Sequence, residues 1–253
     1  MKISHCIDMM YSYLDFDKRI SEAKNSGADA IEFWKWTNKD IGIIKNSGVP
    51  VSVFNIDSKD ENLSYDLSRG ILNSGRTDDF LRALEESIPV YKQLCAKGMI
   101  VLIGEKSCAN AENVKKCLCA ARNLCESEDV TLIVECLNNI DRQDYSMPYV
   151  TPVMDILKDV GSPKIKLLYD IYHQHMMKDF NLTELMENID IIGHFHVADC
   201  PGRHQPGTGE VDYVTILSEI NKTKYNGYIG LEYRATIKDT ETFGFIDEVK
   251  KNA

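Results

Sequence analysis

The run KIKLLYDIYHQHMMKDFNLTELMENIDIIGHFHVAD, residues 164–199, decides the fold. It opens on a short apolar strand, 164–170, and closes on another, 191–199. Between them, 173–188 reads as a helix broken near Phe180 and Asn181. Both strands are continuous apolar runs without strict alternation, the pattern of a strand covered on both faces. A strand, a crossing helix and a second such strand make a parallel βαβ unit. Each strand ends in ionisable residues. Asp170 closes the first and is followed by His173 and His175, while His194, His196 and Asp199 mark the second.

The same unit repeats in both directions. Further strands are expected at 2–7, 28–34, 49–55, 99–104, 130–138 and 228–233, and helices at 17–26, 39–46, 77–96, 111–127, 149–159, 212–221 and 240–248. Thr77 is a plausible cap for its helix, with Asp78 and Asp79 in the first turn. Eight strand-helix units in 253 residues predict a (β/α)8 TIM barrel, one domain over 1–253. An open doubly wound sheet would show a Gly-rich turn after its first strand, and Asp8 to Tyr13 has no glycine. The stretch IDSKDENLSYDLSRGILNSGR, 56–76, reads as an irregular polar insertion at the catalytic end, expected to cover part of the pocket and to order when substrate binds.

With 39 acidic and 29 basic side chains, the net charge is -10. Such a surface draws neither a nucleic-acid backbone nor an anionic membrane, which leaves a small molecule as the expected partner. No apolar run approaches the roughly eighteen residues of a membrane helix, and MKISHCID is no signal peptide, so the cytoplasm is expected. The eight cysteines form no CxxC pair and are expected as free thiols.

Barrel chemistry sits at the C-terminal ends of the strands. There, four successive strands bring Glu135, Asp170, His196 and Glu232. Carboxylates inside apolar runs are costly to bury unpaired, and several at one rim repel one another unless a cation neutralises them. Three carboxylates with one imidazole suit Mg²⁺ or Mn²⁺, and accept Co²⁺ or Zn²⁺. Each residue also has a bland reading: Asp170 as a helix cap, His196 as a bonded core histidine, either glutamate as an ion-pair partner. Four in succession favour the site. The loop DCPGRHQPGTGEVDY, 199–213, holds Arg203 and His204, both expected as substrate contacts, and its glycines and prolines set a shape that can lay the Arg over the rim toward substrate oxygens.

Several motifs together resemble the xylose isomerase-like TIM barrel (sugar isomerase/epimerase) superfamily, nearest its hydroxypyruvate isomerase-like branch. They are RISEAKNSGADAIEFW (19–34), VECLNN (134–139), YDIYHQH (169–175), GHFHVAD (193–199), PGRHQPGTGEVDY (201–213) and YIGLEY (228–233). The resemblance implies a divalent metal on Glu135, Asp170, His196 and Glu232, with Glu135 and Glu232 moving protons on opposite sides of the substrate. It implies substrate contacts from His173 and Arg203, and a homodimer or homotetramer. The sequence departs from the isomerases in His196, where they often carry glutamine, and in ECLNN, where they resemble EPINT. The activity implied is metal-dependent isomerisation of a small hydroxy-carbonyl compound, a 2-oxo acid or a sugar, through an enediolate. The rivals are a ketose 3-epimerase, a non-catalytic metal-bound subunit, and a multi-zinc endonuclease barrel. The last is disfavoured by only six histidines.

Overall fold

The computed structural model describes residues 1–108 and 110–251. The expected domain, 1–253, also takes in Ala109, Asn252 and Ala253, which lie outside the described residues. Eight parallel strands close on themselves in chain order: β1 Lys2–Cys6, β2 Ala30–Lys35, β3 Val51–Asn55, β4 Gly98–Leu102, β5 Leu132–Glu135, β6 Ile165–Asp170, β7 Ile192–Val197 and β8 Tyr228–Leu231. Closure is made by β1, which pairs in parallel with both β2 and β8. Because all strands run the same way, all their C-terminal ends meet at one rim. Register then sets the neighbours there. Asp170 lies abreast of His196, and His196 abreast of Gly230.

Helices cover the barrel: α1 Phe16–Asn25, α2 Ile41–Ser47, α3 Glu61–Arg69, α4 Thr77–Leu94, α5 Ala111–Ser127, α6 Val150–Val160, α7 Ile171–Met176, α8 Leu182–Glu187, α9 Tyr213–Asn221 and α10 Gly244–Lys251. The break expected near Phe180 is real and separates α7 from α8. Among the described residues, no helix is long and apolar enough to cross a membrane.

Two expectations need correction. The stretch 56–76 is not irregular, because α3 occupies its middle and a 3-10 turn, Leu72–Ser74, follows. Asp60 caps α3 by accepting from Asn62 N at 3.0 Å and Leu63 N at 3.1 Å. Leu63 and Leu67, one turn apart, are buried. Each contributes about 1.5–3 kcal/mol to holding α3 over the barrel end. Only two apolar anchors in a dense polar run hid the helix from its periodicity. Gly70 then lets the chain turn back at φ 100°, and a Cβ there would lie 2.3 Å from the Gly104 nitrogen. The second correction is Thr77, which is the first residue of α4 and makes no cap. The preceding Arg76 offers no side-chain cap either, and instead bonds Asp79 at 2.8 Å across the first turn.

Candidate metal and acid–base site

Glu135 and Asp170 end β5 and β6, His196 is next to last on β7, and Glu232 follows β8 by one residue. All four are buried. Their ligand atoms lie within 4.8 Å of one another. His196 Nδ1 is 3.2 Å from Glu232 Oε2, 3.4 Å from Glu135 Oε1 and 3.9 Å from Asp170 Oδ2. Asp170 serves twice. Its Oδ1 caps α7 by accepting from His173 N at 3.1 Å, which leaves Oδ2 for the cluster.

Among the described residues, neither ring nitrogen of His196 has a partner in hydrogen-bond geometry. An orphaned buried imidazole facing three carboxylate oxygens is the donor set of a hard divalent cation, so the residues fit one. The charge balance agrees. Burial works against a charged His196, but Glu232 and Glu32 outweigh it and push its pKa well above the usual value. Burial likewise pushes the Glu232 carboxyl up, and Arg203 and His196 more than reverse this, holding it well below the usual range. For Asp170 burial prevails over Arg203 and His196, and its pKa rises. A proton on His196 thus occupies the place of positive charge that a metal would fill.

Arg203 is held by its loop. The buried Asp199 carboxylate accepts from four backbone N–H groups: Cys200 at 2.9 Å, Gly207 at 2.7 Å, Thr208 at 2.9 Å and Val211 at 3.1 Å. This fixes the loop's path, and Arg203 takes the left-handed conformation with φ 56°. Its guanidinium lies over the Tyr172 ring at 5.3 Å and donates to Glu232 Oε2 at 2.5 Å. Trp34 Nε1 donates to the other oxygen of Glu232 at 2.8 Å.

A cavity of about 620 Å³ opens above the cluster, with Glu135, His196, Glu232 and Arg203 in its wall. Its wall also includes Trp34, Lys35 and Arg142, and α3 contributes Ser64, Leu67 and Ser68. Lys35 Nζ donates to Ser64 O at 3.2 Å and Ser64 Oγ at 2.9 Å. Among the described residues no carboxylate lies within 4 Å of Lys35 or Arg142, whereas Lys39, in the same wall, pairs with Asp8 at 3.0 Å.

Of the three expected substrate contacts, Arg203 alone lines this cavity. His173 is buried behind it. Its Nδ1 faces the Asn138 side-chain nitrogen at 2.6 Å, its Nε2 is 3.5 Å from Asp170 Oδ2, and burial, with Arg203, pushes its pKa down to about 3. His204 turns away and its Nδ1 meets the Arg234 carbonyl at 2.8 Å. The residues that sequence reasoning passed over are Glu32, Trp34 and Lys35. Glu32 carried the same signal as Glu135 and Glu232, a carboxylate inside an apolar strand, ADAIEFW. It is fully buried beside His196 and His194; burial pushes it up, but those two rings hold it at about 2. Trp34 and Lys35 carried no distinguishing signal.

Carboxylates and an imidazole gathered at the C-terminal rim beneath a cavity define a class: a (β/α)8 protein with residues that could hold a metal ion beside a small molecule. The chain belongs to one family of that class, since the profile described as xylose isomerase-like TIM barrel matches residues 20–248. It is similar to the hydroxypyruvate isomerase of Escherichia coli (strain K12), 27% identical over 244 residues, 92% of this chain and 93% of the relative. It is also similar to a 2-oxo-tetronate isomerase of Cupriavidus necator, 30% identical over 129 residues, 51% of this chain and 50% of the relative. Among solved structures, an AP endonuclease, family 2, from Brucella melitensis superposes with a TM-score of 0.88 over 97% of this chain and 98% of that one. At 20% identity, that likeness shows the fold alone.

Proposed function

We propose that this protein is a divalent-metal-dependent isomerase of a small 2-oxo acid, of the hydroxypyruvate or 2-oxo-tetronate type, moving a proton between adjacent carbons through an enediolate. In this reading 1–253 is one domain, the ion is Mg²⁺ or Mn²⁺ on Glu135, Asp170, His196 and Glu232, and the partner is the substrate. The observation that carries it is the placement of two glutamates from non-neighbouring strands, at 3.4 and 3.2 Å from one imidazole nitrogen under an open cavity. A bound divalent cation supplies Lewis-acid stabilisation of the negative charge that develops on the substrate oxygens. The remaining work falls to the chain. Glu232, kept ionised by Arg203, Trp34 and His196, takes the proton next to the carbonyl. Glu135, across the cluster, gives a proton to the adjacent carbon, the hydroxyl proton passes from one substrate oxygen to the other, and the two carboxyls regain their starting protonation by exchange with solvent. Arg203 orients the substrate beside Glu232. Lys35 and Arg142, the cations of the cavity wall with no carboxylate partner, favour an acidic substrate over a neutral one.

A ketose 3-epimerase is the second reading. It is favoured by the cavity of about 620 Å³, which has room for a five- or six-carbon chain. Chemically the two differ in where the proton returns: to the neighbouring carbon, or to the other face of the same carbon. The test is turnover of small 2-oxo acids, tetronates and free ketoses, deuterated next to the carbonyl, under Mn²⁺ and Mg²⁺. Loss of label to solvent, with an acid as the best substrate, is expected, because one glutamate takes the label and the other delivers a different proton. Turnover of ketoses alone establishes the epimerase, and label carried intact to the neighbouring carbon, or fixed at its original one, rules out proton transfer between the two glutamates.

A further inference from the structure

Beneath the carboxylate cluster, toward the barrel axis, lies a polar group that the proposed chemistry does not use. Glu32 projects from β2 into a fully buried position. Its Oε2 accepts from Ser52 Oγ at 3.1 Å and faces His194 Nε2 at 3.0 Å. Ser52 Oγ in turn is 2.6 Å from Ser4 Oγ. Among the described residues the other oxygen, Oε1, has no hydrogen-bond partner, and neither has His196 Nε2; these two buried atoms lie 3.1 Å apart, within ion-pair distance though outside hydrogen-bond geometry. Each is the group available to satisfy the other. The barrel also reserves space for this carboxylate. At Gly230, abreast of His196 on β8, a Cβ would lie 2.5 and 2.6 Å from the two Glu32 oxygens and 2.7 Å from His194 Nε2.

We propose that Glu32 is the positioning residue of the metal centre, orienting His196 through Nε2 so that a bare Nδ1 faces Glu135, Asp170 and Glu232. The inference rests on the metal reading given above. The physical argument concerns the tautomer. A neutral imidazole carries one N–H, and the nitrogen bonded to a carboxylate keeps it. With Oε1 opposite Nε2, the proton belongs on Nε2 and the Nδ1 lone pair points at the cluster. A carboxylate behind a ligating imidazole fixes the ring and raises its basicity, and its loss commonly weakens metal binding about 10–100-fold. His194 and Ser52 have a supporting part. They hold Oε2, so that Oε1 stays turned to His196. Glu32→Gln breaks the arrangement at nearly constant volume, because its amide presents an N–H to one of the two groups that now meet oxygen. An N–H facing Nε2 selects the opposite tautomer, with Nδ1 protonated and closed to metal.

The test measures Mn²⁺ affinity by chelator competition for the wild type, Glu32→Gln and Glu135→Gln, with thermal unfolding of each metal-free protein. The ¹⁵N spectrum of His196 in the Mg²⁺-loaded wild type reads the tautomer directly and needs no variant. The expected result is a proton on Nε2 of His196 and a loss of affinity of at least about tenfold in Glu32→Gln. That loss should exceed what the change in metal-free stability accounts for, since a purely structural Glu32 would lower stability and leave the intrinsic affinity alone. Affinity of Glu32→Gln within about threefold of wild type, or an Nε2 without a proton, overturns the proposal while leaving the metal site standing. Wild type and Glu135→Gln that both fail to bind metal would overturn the metal reading and this inference together.

Discussion

Replacing Glu232 by glutamine should separate metal binding from proton transfer. The substitution preserves the side chain's length and its place beyond β8, and Trp34 can still donate to the amide oxygen in place of Oε1, a bond now 2.8 Å long. What goes is the charge that Arg203 holds at 2.5 Å and that His196 meets at 3.2 Å. Arg203 Nη2 already lies 3.9 Å from Asp170 Oδ2, so the guanidinium is expected to swing toward Asp170. That movement keeps the site folded but shifts the arm that orients substrate. A positioned acid–base group contributes about 10²–10⁴-fold, which is about 2.7–5.4 kcal/mol of barrier at 1.36 kcal/mol per decade. The expected outcome is therefore a fall in kcat of at least about 10²-fold at full metal loading. The assay is turnover of the best 2-oxo acid at saturating Mn²⁺, with bound metal measured in the same sample, so that loss of a ligand is not mistaken for loss of a base. A metal-loaded Glu232→Gln protein with wild-type kcat would refute the assignment of this residue to the chemistry.

Further outcomes follow from other parts of the structure. Lys35→Met should raise KM for acidic substrates by about tenfold or more, the worth of a charge-assisted bond, and leave neutral ketoses unaffected; parallel kinetics on an acid and a ketose of equal length would decide it. The metal-free protein should lose stability as pH falls from about 6.5. His173 and His5 have folded values pushed down to about 3 and about 4 by burial, so the unfolded chain takes up their protons first; the stability they confer is present above their unfolded pKa and is lost as pH falls toward those folded values. Each unit of separation is worth about 1.4 kcal/mol, and His173→Gln should flatten the melting temperature against pH over that window. Gly70→Ala should cost about 2 kcal/mol or more in urea unfolding, because φ is 100° and the new methyl would meet the Gly104 nitrogen at 2.3 Å. If α3 closes on substrate, its amides should exchange more slowly at saturating ligand, and unchanged exchange over 61–69 would make it a fixed wall.

Much of the fold was legible because its signals are local. A strand covered on both faces must be apolar throughout, a crossing helix must separate it from the next parallel strand, and eight such units leave little choice but closure. The four cluster residues were legible for the same reason. A carboxylate or imidazole at the end of an apolar run is conspicuous wherever it occurs, and in a parallel barrel every strand end reaches the same rim. Where the signal was thin, reading failed. Helix α3 has only Leu63 and Leu67 to anchor it among polar neighbours. Glu32 is a different case: it carried the same signal as Glu135 and Glu232 and went unread because it lies inside β2 and not at the strand's end.

The sequence by itself determined the barrel, the rim residues and the loop that carries Arg203. Only the tertiary structure decided which polar side chains meet. His173 and Arg203 are both near the cluster in the chain, yet burial turns one into a neutral support behind it while a left-handed turn lays the other into the cavity. His204, the next residue, faces Arg234 instead. The contact between Glu32 and His196 joins β2 to β7 through the barrel interior, and the space for it depends on a glycine in β8. Residue type and strand period state which face a side chain takes. The stagger of eight strands, summed around a closed barrel, sets its depth and its partner, and that sum exists only in the folded chain.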